Sequence, residues 1–189
     1  VPRIPDAQVL GAAIEVMLRR GYAGATTKQI AEAAQINEVT LFRRFGTKAN
    51  LLRKAMLTEV ENFGGSDGIP YTGDLHADLT HVVRAYAELL RRRGRMVPML
   101  FAELPRHPEL REVVGPPLRM LESVGELVAR YQREGLLESE PPMRAVAALL
   151  APLLIPTLLG EHAPEALRGA WDAEEHVRGF LHGRAGQRA

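Results

Sequence analysis

Asn37, Glu38, Val39, Thr40 and Arg43 lie within seven consecutive residues and carry an amide, a carboxylate, two branched methyl-bearing groups and a guanidinium. Such a set suits the edges of base pairs in a DNA major groove. Arginine pairs with guanine, a carboxylate accepts from cytosine N4, and valine or a threonine methyl packs on thymine. Around this run, Thr26, Lys28, Arg44 and Lys48 supply a hydroxyl and three cations suited to phosphate oxygens. Helices starting after Thr26 and Thr47 would add backbone N–H donors for the same purpose. A solvated basic helical face would carry the same inventory, so the elements that position these residues decide the reading.

Those elements are helical. Asp6–Arg20 sets Val9, Leu10, Ala13, Ile14, Met17 and Leu18 on one face, and Gly21 stops it after two arginines that suit a helix C-terminus. Thr26 followed three residues later by Gln29 is a capping box, opening a short second helix with Ile30, Ala31 and Ala34 inward. Asn37 caps a third short helix, Glu38–Phe45, and Thr47 a fourth, about Lys48–Glu61. Two short helices joined by a tight turn form a helix-turn-helix, whose second helix enters the major groove.

Residues 62–73 read as a loop, rich in glycine and turn formers. Asp74–Arg93 is an amphipathic helix closed by Gly94, and Pro98, Pro105, Pro108, Pro116 and Pro117 then allow only short helices. Pro117–Glu134 is amphipathic again, Ala145–Leu159 is apolar nearly all round, and Asp172–Gly183 ends the helical pattern. The expected fold class is all-α, with about nine helices.

The formal net charge of the 189-residue chain is +1, yet the charge is unevenly spread. Residues 1–55 hold nine basic groups and four acidic ones, a net +5, and all three lysines; the rest carries −4. A basic end on a mildly acidic body suggests a polyanion-binding part joined to a part with another task.

The run Gly21-Tyr22 to Ala34, with Thr26 and Ile30-Ala31, resembles the first half of the DNA-binding signature of the TetR family. Gln35 to Leu52, with Ile36, Thr40-Leu41-Phe42, Phe45, Lys48 and Leu51, resembles its second half, and the match covers about residues 8–55 without gaps. The resemblance implies that Thr26, Thr40 and Lys48 anchor phosphates, and that Lys28, Asn37, Glu38, Val39 and Arg43 form the variable set facing the groove. It implies a small core of Ile30, Ala31, Ala34, Ile36, Leu41 and Phe45. Four residues depart from the family pattern. Gln35 replaces the usual turn glycine and so is expected at positive φ. Val39 replaces a smaller residue. Phe42, within the DNA-facing run, lacks the hydroxyl of the common tyrosine, and Arg44 replaces a histidine or tyrosine and could restore the phosphate contact.

Two domains are therefore expected: residues 1–55 as a three-helix DNA-binding domain, and residues 56–189 as a helical effector-binding and dimerisation domain. The resemblance implies a homodimer on a double-stranded palindromic operator, with a ligand cavity in each body. A dimer would set two reading heads about 34–36 Å apart, one turn of DNA. The apolar helix about 145–159 and the helix 172–183, offering Val177, Phe180 and Leu181, are the expected dimer seam; an intrachain core helix is the alternative. Tyr86, Met96, Met99, Leu100, Phe101, Met120, Val124, Val128 and Tyr131 are candidates for an apolar effector site, because methionine and aromatic side chains adapt to apolar ligands. Plain core packing would place them equally well. His81, Glu103, His107 and Arg130 are the polar groups that could orient such a ligand.

Enzymatic readings find little support. The absence of cysteine excludes a thiol nucleophile and Cys-based zinc sites. Asp78 with His81, and Asp172 with His176, share helical faces, but a metal site wants three or four ligands and no such cluster is patterned. No catalytic residue, metal or cofactor is expected. The apolar run 145–159, interrupted by Pro152 and Pro156, is shorter than the roughly 20 residues of a membrane span. No secretory signal precedes the first helix, so a cytoplasmic protein is expected. The opening Val1 suggests that a short arm precedes it. The reading is a ligand-released repressor; a same-fold regulator controlled by a protein partner or by no ligand, or a helical lipid or ligand carrier, is the alternative.

Overall fold

The computed structural model describes residues 4–63, 69–168 and 172–183, and no strand forms among them. Ten α-helices follow in order: α1 (Asp6–Gly24), α2 (Thr27–Ala33), α3 (Glu38–Phe45), α4 (Lys48–Glu61), α5 (Leu75–Arg93), α6 (Met96–Glu103), α7 (Arg111–Arg133), α8 (Pro142–Leu159), α9 (Glu165–Arg168) and α10 (Ala173–His182). Short 3₁₀ turns, Pro108–Leu110 and Gly160–His162, precede α7 and follow α8. Part of the expected loop, residues 64–68, lies outside the described residues.

The chain divides into two compact units, Val1–Val60 with Arg95–Pro117, and Glu61–Gly94 with Leu118–Ala189. In the first, α1 is central. Val9, Leu10, Ala13, Ile14 and Met17 are buried, and so is Val16, which widens that stripe beside Val9. The extra burial follows from α1 packing against both α2 and α6. Met96 and Leu100 of α6, with Leu110 and Val113, enter the same core as Ile30, Leu41, Phe45 and Leu52. The helical run that begins at Asp6 is broken at Gly21 (φ 72, ψ 165), and that turn swings Tyr22 into the core.

In the second unit, α5 packs on α8 and α10. Leu79, Val82 and Val83 of α5 are buried with Val124 and Val128 of α7, Leu149 of α8 and Val177 of α10. Gly94 ends α5 where a Cβ would stand 2.7 Å from the Thr157 methyl of α8 and 2.4 Å from the Leu90 carbonyl oxygen. Only glycine allows that approach.

Two proline-based expectations are corrected. α7 begins at Arg111, not Pro117, and runs through Pro116 and Pro117. Each proline forfeits one helical hydrogen bond, but burial of Leu110, Val113 and Pro116 along one side holds the early turns. α8 likewise runs through Pro152 and Pro156. With the turn that follows it, the helical stretch Pro142–His162 reaches 21 residues, long and apolar enough by length and composition to cross a membrane. The run read from the sequence is therefore too short.

Candidate nucleic-acid interface

Local hydrogen bonds place the two helices of the helix-turn-helix. The Gln29 N–H donates to Thr26 Oγ1 and the Thr26 N–H donates back to Gln29 Oε1, both at 3.2 Å, completing the capping box at the start of α2. Between α2 and α3 the chain reverses at Gln35, whose φ of 57° is the one positive value at a non-glycine among the described residues. The Ile36 N–H then reaches back 3.0 Å to the Ala31 carbonyl. That reversal is what a glycine usually supplies, and here a glutamine accepts the left-handed conformation.

α3 is held at both ends. Asn37 Oδ1 accepts the Val39 N–H at 2.8 Å, and the Thr27 hydroxyl donates to Glu38 Oε1 at 2.5 Å, tying α3 to α2. At the other end Asn50 Nδ2 donates to the Phe45 carbonyl at 2.7 Å, and Lys54 Nζ reaches the Arg44 carbonyl at 3.4 Å. Leu41 and Phe45 point into the core. Val39 (75% exposed), Phe42 (68%) and Arg43 stand on the outer side, and Thr40 is half-buried. Thr26, Lys28, Asn37 and Glu38 are exposed beside them.

Arg44 and Lys48, expected at phosphates, both have partners within the protein. Arg44 keeps only 11% of its side chain exposed; its guanidinium donates to the Ile4 carbonyl at 2.9 Å and pairs with the Asp6 carboxylate. Lys48 Nζ donates to the carbonyls of Tyr22 at 2.5 Å and Ala25 at 2.9 Å, and lies 4.3 Å from the centre of the Tyr22 ring. Backbone carbonyls and a carboxylate within the unit thus hold both cations.

Lys48 belongs to a charged cluster within the first unit. His107 packs edge-on against Tyr22 with ring centres 5.1 Å apart, and its two nitrogens lie 3.5 Å from Glu103 and 3.3 Å from Glu109. Burial pushes the Tyr22 hydroxyl up to about 12, assisted by the charge of Glu109, to which it donates at 3.4 Å. Burial also lowers the Lys48 ammonium below the usual lysine range, against the opposing pull of Glu103 and Glu109. This ionic and aromatic packing joins the α1–α2 turn, the start of α4 and the segment after α6.

Residues 9–55 match the family model described as "Bacterial regulatory proteins, tetR family". Residues 69–170, more than half of the chain, match "Tetracyclin repressor-like, C-terminal domain". The chain belongs to the TetR family. Members of this family are DNA-binding regulators rather than enzymes. The chain is 35% identical over 101 residues to the uncharacterized HTH-type transcriptional regulator YvkB of Bacillus subtilis (strain 168), which covers 53% of each protein. It is 30% identical over 115 residues to the DNA-binding transcriptional repressor TetR of Mycobacteroides abscessus, covering 60% of this chain and 57% of that one. The chain thus aligns with a little over half the length of these curated relatives. The solved structure of the flavonoid-responsive regulator FrrA shares the fold, with a TM-score of 0.67, 23% identity, and 97% and 98% of the two chains covered.

The effector candidates of this TetR-family chain fall in both units. Met96, Met99 and Leu100 pack in the core of the first unit, and Phe101 beside them is 66% exposed. Tyr86, Met120, Val124, Val128 and Tyr131 are buried in the second. Tyr131 is committed to structure: its hydroxyl donates at 2.5 Å to Asp78, which also accepts the Thr72 N–H and hydroxyl at 2.7 Å each. Burial raises the Tyr131 hydroxyl far above its ordinary range, assisted by Asp78. For Asp78, burial opposes ionisation, but the hydrogen bonds from Tyr131 and Thr72 and the nearby His81 together hold its carboxyl below the usual range. Of the polar candidates, Glu103 and His107 belong to the Tyr22 cluster, and Arg130 stacks on the Tyr71 ring at 3.2 Å. Asp172 caps α10, and His176 reaches the Leu149 carbonyl at 2.7 Å, so that pair does not form a site. No group of three metal-ligating side chains occurs among the described residues.

Sequence reasoning missed Asn50 and Lys54, which fix the C-terminal end of α3, and the lock of Asp78, Thr72 and Tyr131. Threonine and aspartate flanking a predicted helix start, at Thr72, Asp74 and Asp78, were the available signal for the lock.

Proposed function

We propose that the chain is a transcriptional repressor that binds a palindromic DNA operator as a homodimer and is released by a small, largely apolar ligand. The observation that carries this reading is the outer side of α3. In a TetR-family chain it presents Val39, Phe42 and Arg43 to solvent, and its two ends are held by Asn37 and Asn50. Val39, Phe42, Arg43 and Thr40 would meet base edges, while Thr26, Lys28, Asn37 and Glu38 lie at the border of the groove. The name of the Mycobacteroides relative, a repressor, supports repression over activation.

The partner reading rests on α8. Met143, Ala147, Ala151, Ile155, Leu158 and Leu159 form an exposed apolar stripe along it. Val177 and Phe180 of α10 are buried within their own unit, so α10 would contribute its small or polar outer face, including Gly179, to a seam led by α8. An apolar stripe of this length favours a partner over water. A soluble dimer in the cytoplasm uses it in a way consistent with the capped, charged helices on either side. Tyr86, Met120, Val124 and Val128 in the second unit are the residues proposed to meet the ligand.

The deciding experiment is selection of bound sequences from a random duplex library, followed by a mobility shift with the winner. Enrichment of an inverted repeat with half-sites one turn apart supports the reading. Uniform, sequence-indifferent binding removes it.

A further inference from the structure

The proposed DNA reading leaves open which chemical feature of a base pair the recognition helix detects. Three polar side chains at α3 already have partners within the protein. Asn37 Oδ1 accepts the Val39 N–H, one Glu38 carboxylate oxygen accepts the Thr27 hydroxyl, and Arg44 is bound to Ile4 and Asp6. Beside the exposed Asn37 and Glu38, what faces outward is one guanidinium, Arg43, and two large apolar groups, Val39 and Phe42. Of the described residues in the first unit, the large apolar side chains that are exposed are these two and Phe101. Two of the three therefore sit on a single eight-residue helix, one turn apart.

Resting on that DNA-binding reading, we infer that Val39 and Phe42 read the C5-methyl groups of thymine in the major groove. The methyl is the one apolar feature a base edge presents there; cytosine carries hydrogen at the same carbon, and the purine edges present donors and acceptors. Arg43, next to Val39 around the helix, would then supply the hydrogen-bonded contact, to guanine. The half-site is thus expected to hold thymine beside a G·C pair. Neither apolar group is able to satisfy a polar base edge, so a non-thymine base at these positions would leave its donors and acceptors facing hydrocarbon.

The test uses the full 189-residue chain and the operator selected as above, with each thymine replaced in turn by deoxyuridine, which lacks only the methyl. Burial of one methyl group corresponds to about a fourfold change in affinity, so a loss of about fourfold per half-site is expected at the contacted thymine. 5-Bromodeoxyuridine, whose bromine matches the methyl in size, should restore binding. Val39→Ala and Phe42→Ala should each abolish the uridine penalty at one position, whereas Arg43→Ala should retain it. Sequence-selective binding with no uridine penalty, or a penalty unchanged in both apolar variants, overturns the inference while leaving the DNA-reading function intact. An operator without thymine in its groove-facing positions overturns it too. Absence of any enriched sequence overturns the function and the inference together.

Discussion

The ammonium of Lys48 lies 2.5 Å from the carbonyl oxygen of Tyr22 and 4.3 Å from the centre of the same residue's ring. One cation at the start of α4 thereby holds the end of the helical run begun at Asp6. A second bond to the Ala25 carbonyl extends that hold to the residue before the α2 cap. Lys48→Met keeps most of the side-chain stem and removes these bonds. It is expected to cost about 1–3 kcal/mol in a urea unfolding curve. Unchanged stability would show that the ammonium is used elsewhere.

Lys28 and Arg43, both exposed, should differ in how their removal affects binding. Lys28→Ala should weaken binding to all sequences alike and lower the salt dependence by about one phosphate contact. Arg43→Ala should cost about 1–3 kcal/mol at one operator position and relax specificity there. Identical effects on operator and random DNA from both variants would refute this division of roles.

The positive φ at Gln35 makes a test of backbone strain. Gln35→Gly removes the steric conflict at the cost of added freedom in the unfolded chain, for an expected net gain of up to about 1 kcal/mol. Gln35→Val should destabilise by more than about 1 kcal/mol, since a β-branched residue is poorly tolerated there. Thermal melts of the two variants should therefore shift in opposite directions.

Asp78 is almost wholly buried, and its folded-state pKa lies below the ordinary carboxylate value. The unfolded chain thus binds this proton more readily. The stabilisation is complete above the ordinary carboxylate range and is lost as pH falls through the lower folded value. Asp78→Asn cannot accept from all three donors, and should cost about 1.5–3 kcal/mol near neutrality. The gap between wild type and variant should narrow in acid. A gap of constant size from neutral to acid pH would contradict the assignment.

Ala151 lies in the middle of the exposed apolar stripe of α8. Ala151→Glu should leave the fold of the single chain intact and drive sedimentation toward the monomer. Operator affinity should fall steeply, because two half-sites are no longer engaged at once. A dimer that persists in the variant would place the seam elsewhere.

Much of this molecule was legible in the sequence because its decisive signals are local. Thr26 with Gln29, Asn37 and Thr47 each act on backbone groups within three residues, so the starts of α2, α3 and α4 depend on nothing distant. The left-handed turn at Gln35 was readable only through the family resemblance, whose pattern sets a glycine at that place. Helical spacing likewise marked Ile30, Ala31 and Ala34 as inward, and the family resemblance added Leu41 and Phe45.

What the sequence left open depends on partners far along the chain. Composition marks Arg44 and Lys48 as free cations, and only folding shows that Ile4, Asp6, Tyr22 and Ala25 bring carbonyls and a carboxylate to them. The inclusion of α6 and the start of α7 in the core around α1 was also decided in three dimensions, since Met96, Met99 and Leu100 read equally well as the lining of a cavity. Pro116, Pro117, Pro152 and Pro156 gave a correct local penalty and a wrong boundary, because burial of the neighbouring apolar groups outweighs the lost hydrogen bonds. By itself, then, the sequence determined the helix-turn-helix and its outward residues, through capping and period. Tertiary structure decided which charges find partners within the protein, because a cation's partner is set by the nearest unsatisfied oxygen in space.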